Sequence, residues 1–135
     1  MEQFHINHWA VLVCAAANLL LGAIWYSPLL FYKAWQAENK LTDEQLKAIN
    51  PAKVYGTTFV LSLIMSYNMA FFLGDNKTDM AWGTAAGFLA GFGWASLIFV
   101  VIGLFEQRTW RYMLINGGFI TVYFTLIGFI LGAWR

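Results

Sequence analysis

Charged residues are absent from four long stretches of this chain, which sharply limits the folds open to it. All eight Lys/Arg and all seven Asp/Glu lie outside residues 9–31, 54–74, 80–105 and 112–134. These stretches are 21 to 26 residues long, and a helix needs about 20 apolar residues to cross a bilayer. Backbone polar groups in hydrocarbon must be satisfied internally, so such stretches form helices. The sequence predicts an all-α integral membrane protein with four transmembrane helices.

The overall composition agrees with this prediction. The chain is 60% hydrophobic and 11% charged, whereas a soluble domain has about 25% charged residues. Its net charge of +1 gives no attraction to nucleic acid. The leader MEQFHINH has no Lys or Arg, so we expect the first helix to be retained rather than cleaved as a signal peptide. We treat residues 1–135 as a single membrane domain.

The distribution of basic residues predicts the orientation. Six of them follow the first and third helices: Lys33, Lys40, Lys47, Lys53, Arg108 and Arg111. The opposite side carries only Lys77 and Arg135. Cytoplasmic loops carry the excess of Lys and Arg. We therefore expect both termini to lie outside the cytoplasm, with the bacterial inner membrane as the host membrane.

Residues 36–52 form the only sizeable segment between the predicted helices. Thr42 and Gln45 fit a capping box at the start of a helix, and Asn50-Pro51 predicts the end of that helix. The segment predicts a short amphipathic cytoplasmic helix. It is either a solvated connector or a docking helix for an unknown membrane protein partner.

Small residues on the third and fourth helices predict close helix packing. They recur at four-residue spacing, at Gly83, Gly87, Gly91, Gly128 and Gly132. This GxxxG pattern lets helix backbones approach closely. It does not distinguish contacts within one chain from contacts between chains. We expect a homo-oligomer that associates through these glycine faces.

A weaker similarity relates the two halves of the chain. GAIWYS (22–27) and GFGWAS (91–96) share Gly-x-x-Trp-x-Ser. A duplicated helical hairpin would produce such a pattern, although apolar helices also match by chance.

No charged residue lies within the predicted helices, which disfavours proton relays, charge-coupled transport and voltage sensing. The polar candidates for interhelical bonds or for the lining of a solute pathway are Asn18, Ser62, Ser66, Asn68, Trp94 and Asn116. We expect Asn18 to bond across to the third helix. Trp94 comes three residues after Gly91, so we expect it to fill the space beside the glycines.

Chemistry-bearing motifs are sparse. His5 and His8 are three residues apart, but two His with Glu2 are too few for a zinc site. The sequence has no pattern for a catalytic triad or a phosphate loop. We predict no catalytic residues, no metal and no cofactor. The sequence leaves enzymatic activity open but favours its absence.

The stretch WYSPLLFYKAW (25–35) is the most distinctive in the chain. Trp25, Tyr26 and Trp35 suit a membrane–water interface. Pro28 ends or kinks the first helix, Ser27 can satisfy a freed carbonyl, and Lys33 can extend to the headgroups. Either the stretch anchors a helix end or it builds a site.

LGAIWYSPLLFYKAW (21–35) also closely resembles the signature of a family of small membrane proteins catalogued as a domain of unknown function. The resemblance covers nearly the whole chain and implies a four-helix membrane protein without implying an activity. We therefore expect a structural or regulatory membrane component in contact with membrane lipids. The alternatives are a facilitator for a small neutral or apolar solute and, third, a lipid-modifying enzyme.

Overall fold

The computed structural model describes residues 5–135, which form helices and no strand. The helices are α1 (His8–Trp25), α2 (Tyr32–Asn39), α3 (Asp43–Lys47), α4 (Pro51–Phe72), α5 (Met80–Ala90), α6 (Leu97–Phe105) and α7 (Trp110–Ala133). A π-helical segment, Gly91–Ser96, joins α5 to α6. Met80–Phe105 is therefore one continuous helix, called the third span below.

Four helices are long and apolar enough to cross a membrane: α1, α4, the third span and α7. Their mean hydropathy runs from 1.2 to 2.3, so the fold is compatible with a membrane protein. Three begin earlier than predicted because capping residues set their starts, and the first of these is α1, which Asn7 caps. The Asn50 side chain caps α4 with Pro51 at its first position, and Thr109 caps α7.

The first helix is shorter than predicted, since α1 ends at Trp25 rather than at residue 31. Pro28 has no N–H to continue the helical ladder, and the chain turns before α2 begins. The sequence did not indicate α2. The Thr42–Gln45 capping box is confirmed, with both reciprocal bonds present at the start of α3.

Helix α7 is the centre of the bundle. It packs most extensively against α5 and also contacts α1, α2 and α4, while α1 packs on α4. The core between α1, α4 and α7 includes Val11, Cys14, Tyr123 and Ile127. The segment 26–50, with α2 and α3, and the turn at 106–109 lie at one end of the bundle, called the basic end below. Residues 5–7, the 73–79 turn and residues 134–135 lie at the other, the terminal end.

The shared Gly-x-x-Trp-x-Ser motif does not mark equivalent positions. Helix α1 ends at Trp25, whereas the third span continues past Trp94 through a π-helical turn. Trp25 is half-buried against α7, whereas Trp94 is exposed.

Candidate functional site

The stretch that closes α1 forms a hydrogen-bonded turn. The amide of Phe31 donates to the carbonyl of Trp25 at 3.1 Å, and that of Tyr32 donates to the carbonyl of Ser27 at 3.1 Å. The Ser27 hydroxyl donates to the carbonyl of Ile24 at 2.7 Å. These bonds satisfy carbonyls that the early helix end leaves without intrahelical partners.

Trp25 and Tyr26 point inward to α7 and make hydrogen bonds there, while their place at a membrane–water interface stays a prediction. Trp25 Nε1 donates to the carbonyl of Ile115 at 2.9 Å. The Tyr26 hydroxyl donates to Oδ1 of Asn116 at 2.6 Å, and Asn116 Nδ2 donates to the carbonyl of Tyr112 at 3.2 Å. The stretch therefore joins the end of α1 to the first half of α7.

The rest of the stretch completes this contact. The Trp35 ring lies edge-on to the Tyr26 ring, with 5.7 Å between centroids. Phe31 packs tilted against Trp25 at 4.9 Å. The Lys33 side chain is exposed, which leaves it free to reach the headgroup region as predicted.

Arg108 docks α2 onto the turn before α7. Its guanidinium donates to Oδ1 of Asn39 at 2.9 Å and lies 3.6 Å from the centre of the Tyr112 ring. Glu38 accepts a hydrogen bond from Thr109, and its carboxylate oxygen Oε2 lies 3.7 Å from a guanidinium nitrogen of Arg111. None of this network was predicted, because its partners are about 70 residues apart in sequence.

A polar cluster lies between α1, α4 and α7. Asn18 Nδ2 donates to Ser62 Oγ at 2.7 Å, and Ser62 donates to the carbonyl of Thr58 at 2.7 Å. The expectation that Asn18 bonds to the third helix was therefore wrong. Its partner is on α4, because α1 packs on α4 and not on the third span.

Tyr123 closes the cluster from α7, and no sequence pattern had singled it out. Its hydroxyl donates to the carbonyl of Cys14 at 2.9 Å, and it is almost fully buried. Ser66 is also fully buried. Its hydroxyl faces the Tyr123 phenol but has no hydrogen-bond partner among residues 5–135.

The glycines lie between the third span and α7 of the same chain. A Cβ on Gly83 or on Gly128 would overlap a backbone carbonyl of the facing helix, and one on Gly87 would overlap the carbonyl of Phe124. Gly91 and Gly132 lie in the same contact. Self-association through these faces would require the two helices to separate, so the structure places the predicted contact within one chain.

The π-helical segment is fixed to α7 by Ser96. Its hydroxyl donates to the carbonyl of Gly117 at 2.8 Å and lies 2.9 Å from the Thr121 hydroxyl. A π turn inserts extra backbone into a helix, so side chains after its start no longer follow the α-helical face. The prediction that Trp94 fills the space beside Gly91 was wrong. Its side chain is instead 74% exposed.

An apolar groove of about 1090 Å³ separates α4 from the third span. Its walls include Met65, Asn68 and Phe72 on α4 and Trp82, Trp94 and Val101 on the third span. Among residues 5–135, no charged side chain lines it. Of the polar candidates from the sequence, the structure brings Asn68 and Trp94 together here. Asn18, Ser62, Ser66 and Asn116 lie in the helix contacts described above.

The terminal end is held by side chains near the two chain ends. His8 Nδ1 lies 2.8 Å from the Tyr67 hydroxyl. Arg135 donates to the carbonyl of Leu73 at 2.6 Å and also to that of Asp75. In the part of the chain that the structure describes, no three His, Cys, Asp or Glu side chains form a group that could hold a metal ion. Glu2 lies outside the described residues.

A family model described as "Protein of unknown function (DUF1761)" matches residues 9–132. The chain therefore belongs to this family, in agreement with the resemblance noted in the sequence. No curated protein matches the chain, and no solved structure matches it.

Proposed function

We propose that this chain is an integral membrane protein without catalytic activity, a structural or regulatory component that acts through helix and lipid contacts. The proposal depends on one observation, which is that four polar side chains of the helices and their ends each link one helix to another. The pairs are Asn18 with Ser62, Tyr26 with Asn116, Ser96 with the Gly117 carbonyl, and Tyr123 with the Cys14 carbonyl.

This use of polar groups favours a fixed bundle over a solute pathway. Four of the residues expected to line such a pathway lie in helix contacts instead: Asn18, Ser62, Ser66 and Asn116. Interhelical hydrogen bonds in membranes stabilise a bundle by about 0.6–2 kcal/mol each. Disrupting several of them to admit a solute would cost a large part of a typical folding free energy.

The orientation proposed from the basic residues places the basic end in the cytoplasm and both termini outside. It is supported by Lys33, Lys40 and Lys47, which are exposed at that end. The host membrane proposed is the bacterial inner membrane.

Homo-oligomer formation remains a prediction. Contacts between copies would use a face other than the glycine stripe, since those glycines pack within the chain. Gly87→Leu should therefore destabilise the monomer fold before it changes the oligomeric mass measured in gentle detergent.

Liposome assays test the absence of transport and turnover. The purified chain, reconstituted into vesicles, should give no flux of small neutral solutes and no lipid turnover above protein-free vesicles. Asn18→Ala is the informative variant, and Thr57→Ala is the control, because Thr57 is exposed on the same α4 that carries Ser62. Flux or turnover that Asn18→Ala abolishes in a folded protein would contradict the proposal.

A further inference from the structure

The groove between α4 and the third span contains polar groups that the bundle does not use. The Asn68 side chain is exposed and makes no hydrogen bond to another residue of 5–135, unlike the other two span asparagines. When a ligand in the groove excludes water from this amide, leaving the amide unpaired costs about 2–7 kcal/mol. A partner from outside the bundle would remove this cost.

The position of Asn68 suggests where that partner places its polar group. Asn68 is four residues before the end of α4, which is about 6 Å along the axis. Trp82 lines the same groove two residues into the third span. Both side chains therefore lie near the terminal-end boundary of the hydrocarbon, where the glycerol and ester groups of lipids are found.

The remainder of the groove suits hydrocarbon chains. From Trp82 to Val101 it follows the third span for about 28 Å, or 19 residues at 1.5 Å each. Trp94 is a broad apolar wall in this part, and its 74% exposure shows that no helix described in the structure covers it. The groove's volume of about 1090 Å³ lies slightly above the range of small-molecule sites, about 300–1,000 Å³. A lipid with two chains suits this volume better than a small solute.

The lining also restricts the headgroup. A phosphate held within the groove, away from water, would require cationic partners, and no charged side chain among residues 5–135 lines it. The amide of Asn68 offers both a donor and an acceptor. A lipid with a free hydroxyl and an ester carbonyl matches both functions, since the hydroxyl can donate to the amide oxygen and the carbonyl can accept from the amide nitrogen.

We propose that this groove binds an uncharged diacyl lipid, a diacylglycerol, with its glycerol hydroxyl and an ester carbonyl at Asn68 and its acyl chains along Trp94. This proposal goes beyond the structural role proposed above and depends only on the chain being located in a membrane. That location has its own test, given at the end of the Discussion, so the two failures can be told apart.

Native mass spectrometry of the full chain tests the site. The protein is released from micelles containing equal amounts of dioleoylglycerol, dioleoylphosphatidylcholine and dioleoylphosphatidylglycerol. The dioleoylglycerol adduct should dominate. Asn68→Leu should lower the preference for dioleoylglycerol over phosphatidylcholine by about fivefold, the factor that one ordinary hydrogen bond provides. Asn68→Gln, which keeps both amide functions, should retain most of it.

Two further variants separate the headgroup contact from the chain contact. Trp94→Ala should weaken all three adducts alike, whereas Trp94→Phe should preserve them. Thr57→Leu is the matched control, because Thr57 is exposed on α4 three turns from Asn68 and outside the groove. Helix content by circular dichroism confirms that each variant folds.

Three results would overturn the proposal. One is a wild-type protein with no preference among the three lipids, and another is a preference that survives Asn68→Leu unchanged. The third is a lipid-free dimer that Trp94→Ala converts to monomer, which would make a second copy of the chain the occupant.

Discussion

The Tyr26 hydroxyl donates a 2.6 Å hydrogen bond to Oδ1 of Asn116, a residue 90 positions further along the chain. With the bond from Trp25 to the Ile115 carbonyl, it fixes the end of α1 against α7. The distinctive stretch at residues 25–35 is thus a helix-joining element.

Loss of this bond should lower the free energy of unfolding. Tyr26→Phe removes only the hydroxyl, and we expect a loss of about 1 kcal/mol. Asn116→Leu should cost a similar amount, and the double variant should cost less than the sum, because the two residues form one interaction. Unfolding titrations in mixed micelles give the three values. Strict additivity would show that the pair is not coupled.

Glycine substitutions should separate close packing from helix propensity. A Cβ on Gly87 would overlap the carbonyl of Phe124, so Gly87→Ala should destabilise the protein by about 1–3 kcal/mol through overpacking. A Cβ at Gly56 would meet no atom within 4 Å, so Gly56→Ala should be neutral or stabilise the protein by up to about 1 kcal/mol. Thermal denaturation in detergent compares the two variants. Equal effects would contradict the close contact between the third span and α7.

Arg108 should control the mobility of α2. Arg108→Lys keeps the charge but loses the planar guanidinium, which bonds Asn39 and lies over the Tyr112 ring. We expect faster amide hydrogen exchange across Tyr32–Asn39, with little change in α4. Lys40→Arg, at an exposed position beside α2, is the control. Unchanged exchange in Arg108→Lys would mean that α2 is held by other contacts.

The carboxylate of Asp75 should titrate below its usual range. The Thr78 hydroxyl is the largest cause, and the amides of Thr78 and Lys77 add to it, so the pKa of Asp75 is lowered. The stabilisation that this carboxylate provides is present above its unfolded pKa and is lost as the pH falls through the folded one. Thr78→Val should move the pKa of Asp75 upward in a carbon-detected NMR titration. An unchanged value would remove the hydroxyl as the cause.

The sequence predicted which segments form helices better than it predicted which helices pack against each other. Charge-free stretches located the four long helices, and the Thr42–Gln45 pair located α3, because both signals are local. The end of α1 at Trp25 was missed because residues 26–31 are themselves largely apolar, so composition alone extends the helix.

Partners could not be predicted because apolar helices carry little information about their order. Asn18 was assigned to the third helix only from its expected depth in the membrane. Depth does not distinguish a partner on α4 from a partner on α5. Trp94 was placed on the glycine face by α-helical periodicity, which the π-helical turn at Gly91–Ser96 breaks. Tyr123 gave no signal, since an aromatic residue within a membrane helix is unremarkable until its hydroxyl finds a partner.

Cysteine accessibility in intact cells tests the central claim most directly, namely that four helices cross the membrane with both termini outside. Lys77→Cys and Lys40→Cys are made singly with Cys14→Ala and treated with a membrane-impermeant maleimide. We expect labelling of Cys at position 77 in intact cells and labelling at position 40 only after permeabilisation. Equal labelling of both positions before permeabilisation, or the reverse pattern, would contradict it.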